Sequence, residues 1–149
     1  MNIEVRDVED EEVDDVFEIC SHGRLEDPIQ RLGIELKRRW MLEMLDAYGP
    51  TAKMAYLDHR PVAQILFYPE EAVPYVENPR RDAVILNCIY NPFPEARGKG
   101  CGTLLVRSLI EECSRGLRSL RGRPCSFSRT SIHHGGGGLR GGVLQLKGV

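Results

Sequence analysis

A chain of 149 residues with 42% hydrophobic and 28% charged residues has the size and make-up of one globular domain with a substantial core. Its net charge of -2 supplies no general attraction to nucleic acid or to an anionic membrane surface. No apolar run approaches the roughly 20 residues that a membrane-spanning helix needs.

Along the chain, Ile3, Val5 and Val8 mark a first strand over residues 2–8. A helix is expected over residues 10–20, with Val13, Val16, Phe17 and Cys20 inward and Glu11 and Glu12 at the positive end of its dipole. Asp27 and Pro28 then open a second helix as N-cap and first residue. Its expected apolar face is Ile29, Leu32, Leu36, Trp40, Leu42 and Leu45, and Tyr48-Gly49-Pro50 ends it. Residues 51–57 and 61–68 form two strand patterns joined by Asp58-His59-Arg60, a hairpin signal without the favoured Asn-Gly turn. Residues 69–81, with three prolines, read as a loop. Residues 82–90 are the most apolar strand and are expected at the centre of a sheet; Pro92 and Pro94 halt it. A helix over residues 102–116 follows, with Leu104, Leu105, Leu109, Ile110 and Cys113 inward, and then a short strand over residues 125–129. This order predicts a mixed sheet with helices packed on it, an α/β (α+β) single domain.

Composition changes sharply near the C-terminus. No acidic residue lies beyond Glu112, basic residues run from Arg115 to Lys147, and glycines crowd residues 135–148. The reading is a domain over 1–130 and an atypical, Gly-rich tail over 131–149 that contributes little to the core. The exposed strand edge left near residues 125–129 would invite pairing with a second copy, so a homodimer is one expectation. The acidic opening (Glu4, Asp7, Glu9, Asp10, Glu11, Glu12) is unlike a targeting signal and points to the cytoplasm. Five scattered cysteines without a Cys-x-x-Cys pair suggest reduced thiols and no zinc site. Cys20 and Cys113 read as core residues, and Glu26, Asp27, Glu70 and Glu71 as solvated acids. Arg115, Arg118, Arg121 and Arg123 lack the interleaved aromatics of a nucleic-acid surface and read as a solvated basic face.

The segment Pro94-Glu95-Ala96-Arg97-Gly98-Lys99-Gly100-Cys101-Gly102 carries the chemistry. It lacks the Gly-Lys-Ser/Thr of a Walker loop. A dinucleotide fingerprint would put its third glycine at Thr103, with no acid about 20 residues on. Three alternating glycines with Arg97 and Lys99, before a helix N-terminus, instead suit an anion cradle built from backbone N–H groups. Arg-x-x-Gly-x-Gly in this setting resembles the pyrophosphate loop of the GNAT acetyltransferases, and the resemblance covers roughly residues 1–129. It implies that Arg97, Gly98, Lys99, Gly100, Cys101, Gly102 and Thr103 hold the pyrophosphate of acetyl-CoA. Cys88, Ile89 and Tyr90 would meet the pantetheine arm with backbone groups. Transfer to a small-molecule or peptide amine would then proceed by direct attack, with Tyr90 and Asn87 as candidate catalytic residues and no metal. A non-catalytic acyl-CoA-binding or protein-interaction domain of the same fold is the alternative. The family normally continues with a further helix and two strands, often holding a tyrosine near the thiol; no tyrosine follows Tyr90 here.

Overall fold

The computed structural model describes residues 1–21, 26–81 and 83–115, together with strand residues 119–120, 123–124 and 126–127. The expected tail, and His133-His134 within it, lie outside the described residues. Strands β1 (Ile3–Asp7), β2 (Ala52–Leu57), β3 (Arg60–Pro69) and β4 (Ala83–Tyr90) form a consecutive antiparallel ladder. Helices α1 (Val13–Ser21) and α2 (Pro28–Tyr48) are inserted between β1 and β2. Helix α3 (Cys101–Ser114) follows β4. After it come β5 (Ser119–Leu120), paired only with β6 (Arg123–Pro124), and β7 (Ser126–Phe127), which lies parallel to β4. The sheet is therefore mixed and flanked by helices, as its element order implied.

Strand alternation divides the core in two. Ile65 and Phe67 of β3 pack with Leu105 and Leu109 of α3. Leu66 and Tyr68 point the other way, toward Val16 and Phe17 of α1 and Met41 and Met44 of α2. The edge of Trp40 meets the Tyr68 ring at a centroid distance of 4.6 Å and an interplanar angle of 71°, a favoured aromatic geometry. The β2–β3 hairpin turns on Asp58 and His59, both at positive φ (48° and 71°). Those angles are the signature of a tight two-residue turn, reached here with residues that tolerate the left-handed region rather than with Asn-Gly. The Asp58 carboxylate also accepts from the Asn2 backbone N–H at 2.9 Å.

One ion pair fastens α3 to the sheet. The Lys53 side chain is buried, and its ammonium lies 2.9 Å from Asp7 and 2.5 Å from Glu112. Lys53→Ala is expected to destabilise the fold by about 2 kcal/mol. Removing one partner of a buried pair costs more than the pair contributes, but both carboxylates keep part of their hydration. Urea unfolding checks this; a loss below about 0.5 kcal/mol would contradict it.

Several local expectations are corrected. Residues Asp10–Glu12 form a 3-10 turn before α1, closed by a reciprocal Glu9–Glu12 capping box. In α2, Ile29, Leu32, Leu36 and Leu42 are exposed. The buried face is Met41 and Met44, with Ile34, Trp40 and Tyr48 packed against the same core. The helix carries two apolar stripes, and the packed one is rotated from the one expected. In α3, Leu104 is exposed and Ile110 half-buried, while Cys101 joins the core. Cys20 is an exposed thiol rather than a core residue, and Cys113 is buried but disulfide-bonded. Cysteine spacing along the chain does not say which thiols the fold brings together. Glu70 is buried, not solvated: its carboxylate accepts from the Arg80 backbone N–H at 2.9 Å and pairs with the Arg80 guanidinium. That pair pins both ends of the β3–β4 connection.

Candidate functional site

A β-bulge in β4 sets the geometry of the candidate site. Leu66 pairs with Cys88 and Phe67 with Leu86, leaving Asn87 as the extra residue. Before the bulge, Val84 and Leu86 belong to the core under α3; after it, Cys88 and Tyr90 pack on the α1/α2 side. The ladder from β4 to β7 covers only Ala83 and Val84. Beyond Val84, no described strand occupies that flank of β4.

The chain then passes through a 3-10 turn, Pro94–Ala96, into the glycine loop. Arg60 braces this approach, with its guanidinium 4.6 Å from the Phe93 ring centroid and 2.9 Å from the Glu95 carboxylate. Asn91 donates from Nδ2 to the Ala96 carbonyl at 3.2 Å, and Arg97 donates to the Pro92 carbonyl at 3.3 Å. Gly98 and Gly100 take φ values of 72° and 83°, a region that disfavours side-chain-bearing residues.

Gly100 is the N-cap of α3, and no side chain caps it. The first turn closes with Leu104 N–H donating to the Gly100 carbonyl at 2.9 Å. The N–H groups of Cys101, Gly102 and Thr103 therefore have no intrahelical acceptor. Their dipoles add to the positive end of the helix. Arg97 and Lys99 are exposed beside them, and neither forms an ion pair among the described residues. Cys101 itself is buried, with its sulfur 4.0 Å from the Ala96 carbonyl, so its side chain is packing and only its backbone is left to bind. A Cβ on Gly102 would stand 3.9 Å from Ile89. The helix N-terminus thus abuts the last residues of β4, bringing Ile89 and the loop into one place. A cradle of this kind, with uncapped donors, unpaired cations and a flank free of strand pairing, fits an extended ligand that carries a phosphate.

On the α1/α2 side, the bulged Asn87 accepts a hydrogen bond at Oδ1 from the Tyr75 hydroxyl at 2.8 Å. Tyr90 lies opposite Gln64 in the ladder. The Gln64 side chain, fully buried, donates from Nε2 to the Cys20 sulfur at 2.9 Å. Burial raises the Tyr68 hydroxyl well above the ordinary phenol range, and it raises the Cys88 thiol above its ordinary value. Both shifts hold these groups in their neutral, protonated forms. Tyr68, Tyr75 and Gln64 were not among the expected site residues. Gln64 alone left a signal, a polar residue inside the apolar run of β3. Among the described residues, no His, Cys, Asp and Glu cluster is arranged to hold a metal ion.

No protein-family model matches the sequence, and no curated protein matches it. Solved structures do match. The ribosomal-protein-alanine N-acetyltransferase from Brucella melitensis biovar Abortus 2308 superposes with a TM-score of 0.55 at 17% identity, covering 85% of this chain and 77% of that one. The aminoglycoside N-acetyltransferase AAC(6')-Iy, in complex with a bisubstrate analogue, gives 0.58 at 12% identity over 88% of this chain and 81% of that one. The PaiA N-acetyltransferase from Thermoplasma acidophilum, in complex with coenzyme A, gives 0.53 at 16% identity over 77% and 74%. At such identities the likeness concerns the fold alone. The chain has the fold of the GCN5-related N-acetyltransferases, the GNAT superfamily.

Proposed function

We propose that this protein is an N-acetyltransferase that moves an acetyl group from acetyl-CoA to a primary amine by direct attack. The observation that carries the reading is the uncapped N-terminus of α3, with Gly98 and Gly100 at positive φ, placed against the end of β4, where no described strand follows β7 on the flank away from β3. The backbone N–H groups of the loop from Arg97 to Thr103 would bind the pyrophosphate, and the Arg97 and Lys99 side chains would supply counter-charge. Backbone groups at Cys88, Ile89 and Tyr90 would meet the pantetheine arm along the open flank. Acetyl-CoA brings an activated thioester: the amine nitrogen bonds to its carbonyl carbon, the carbon–sulfur bond breaks, the nitrogen sheds a proton and the departing sulfur gains one.

The protein's part is to align the reactants and handle those protons. Tyr90 presents a phenol at the end of β4, where it can protonate the leaving sulfur. Asn87, held by Tyr75, fixes the bulge that turns Tyr90 toward the α1/α2 side. The acceptor is a small-molecule or peptide amine, the setting cytoplasmic, and a second copy is a candidate partner for the open sheet edge. A non-catalytic acyl-CoA-binding domain is the second reading, favoured by the lack of any tyrosine after Tyr90.

Release of free thiol from acetyl-CoA across a panel of amines tests the proposal. Amine-dependent release that falls at least tenfold in Tyr90→Phe is expected. CoA binding without release for any amine would favour the second reading, and no CoA binding would exclude both.

A further inference from the structure

A cleft of 280 Å³ opens between α1 and α2, outside the residues given roles above. Its walls include Phe17, Cys20, Ser21, Ile29, Ile34 and Lys37. Three features mark it as more than a packing gap. Ser21 is 3% exposed, yet its hydroxyl has no hydrogen-bond partner among the described residues; a buried hydroxyl left in that state is costly unless a ligand satisfies it. Among the described residues, Lys37 is the one charged residue in the lining, and its ammonium lies 3.9 Å from the Cys20 sulfur. The rest of the wall is mainly apolar, and among the described residues no carboxylate contributes to it. The cleft is linked to the sheet through Cys20, whose sulfur accepts from the amide of Gln64, the ladder partner of Tyr90.

We infer that this cleft takes an acceptor amine that also carries a carboxylate and an apolar side chain, the chemistry of an apolar amino acid. The Lys37 ammonium and the Ser21 hydroxyl would donate to the carboxylate, a charge-assisted pair of bonds. Phe17, Ile29 and Ile34 would cover the apolar side chain, leaving the amine to face β4. A polycationic amine meets the opposite situation, a lining that offers it a cation and no counter-charge. The ligand's role as acceptor rests on the acetyl-transfer reading, but its recognition needs no acetyl-CoA.

The test uses the full chain with L-leucine, L-leucinamide and putrescine, first by calorimetry without acetyl-CoA and then by thiol release with it. Leucine is expected to bind at least tenfold more tightly than leucinamide, in which a neutral carboxamide replaces the carboxylate. Lys37→Met should abolish that preference, Lys37→Arg should restore most of it, and neither change should alter CoA affinity. Equal binding of leucine and leucinamide, a preference that survives Lys37→Met, or no binding of leucine at all would overturn the inference. Lys37-dependent binding of leucine without thiol release would leave the cleft's chemistry standing and remove acetyl transfer instead.

Discussion

Gly100→Val is expected to weaken CoA binding at least tenfold, about 1.4 kcal/mol, while the fold survives. Two costs act together. Gly100 sits at φ 83° as the N-cap of α3, and a β-branched residue held there stores strain of about 1–3 kcal/mol. A Cβ on Gly100 would meet no protein atom within 4 Å, so the side chain projects into the space that a phosphate would approach. Relief of the strain would tilt the first turn of α3 and turn its free N–H groups away. Calorimetry with CoA, beside circular dichroism of the same sample, measures both effects. An unchanged affinity in a folded variant would take this loop out of the site.

Leu105→Ala should produce the largest loss of stability, about 3 kcal/mol. Leu105 is fully buried and packs α3 into the cluster formed by Ile65, Phe67, Val84 and Leu86. Truncating such a side chain removes its transfer energy and leaves a cavity that close-packed neighbours fill only in part. The urea midpoint should fall accordingly. A shift of less than 1 kcal/mol would mean that α3 is not seated on the sheet as described.

The sheet's strand boundaries were legible because β2, β3 and β4 are apolar runs bounded by turn residues, and burial on both faces leaves a continuous signal. Helix α2 was legible in extent but not in orientation. Its cap was marked by Asp27, which accepts from the Ile29 N–H at 2.9 Å, and its end by Gly49. Its packed face could not be chosen, since Ile29, Leu32 and Leu36 repeat at helical spacing just as Ile34, Met41 and Met44 do. Only the partner surface on β2 and β3 decides between such stripes. The glycine loop was legible because its preference is local: positive φ at Gly98 and Gly100 favours glycine whatever lies elsewhere.

The α1/α2 side of the site was not legible in the same way. Its members come from α1, α2, β3, the β3–β4 connection and β4, and no spacing in one segment announces a meeting between Tyr75 and Asn87 or between Gln64 and Cys20. The bulge was hidden for a related reason. An apolar strand reads the same with or without one extra residue, because both of its faces are lined with side chains.

That bulge divides β4 into two stretches answerable to different demands. Residues 83–86 are constrained by volume, since Val84 and Leu86 must fill the layer beneath α3. Beyond the bulge, Cys88 and Tyr90 leave that layer and pack against the α1/α2 core instead. One inserted residue thus makes a single strand answer to packing volume under α3 in its first half and to the α1/α2 layer in its second.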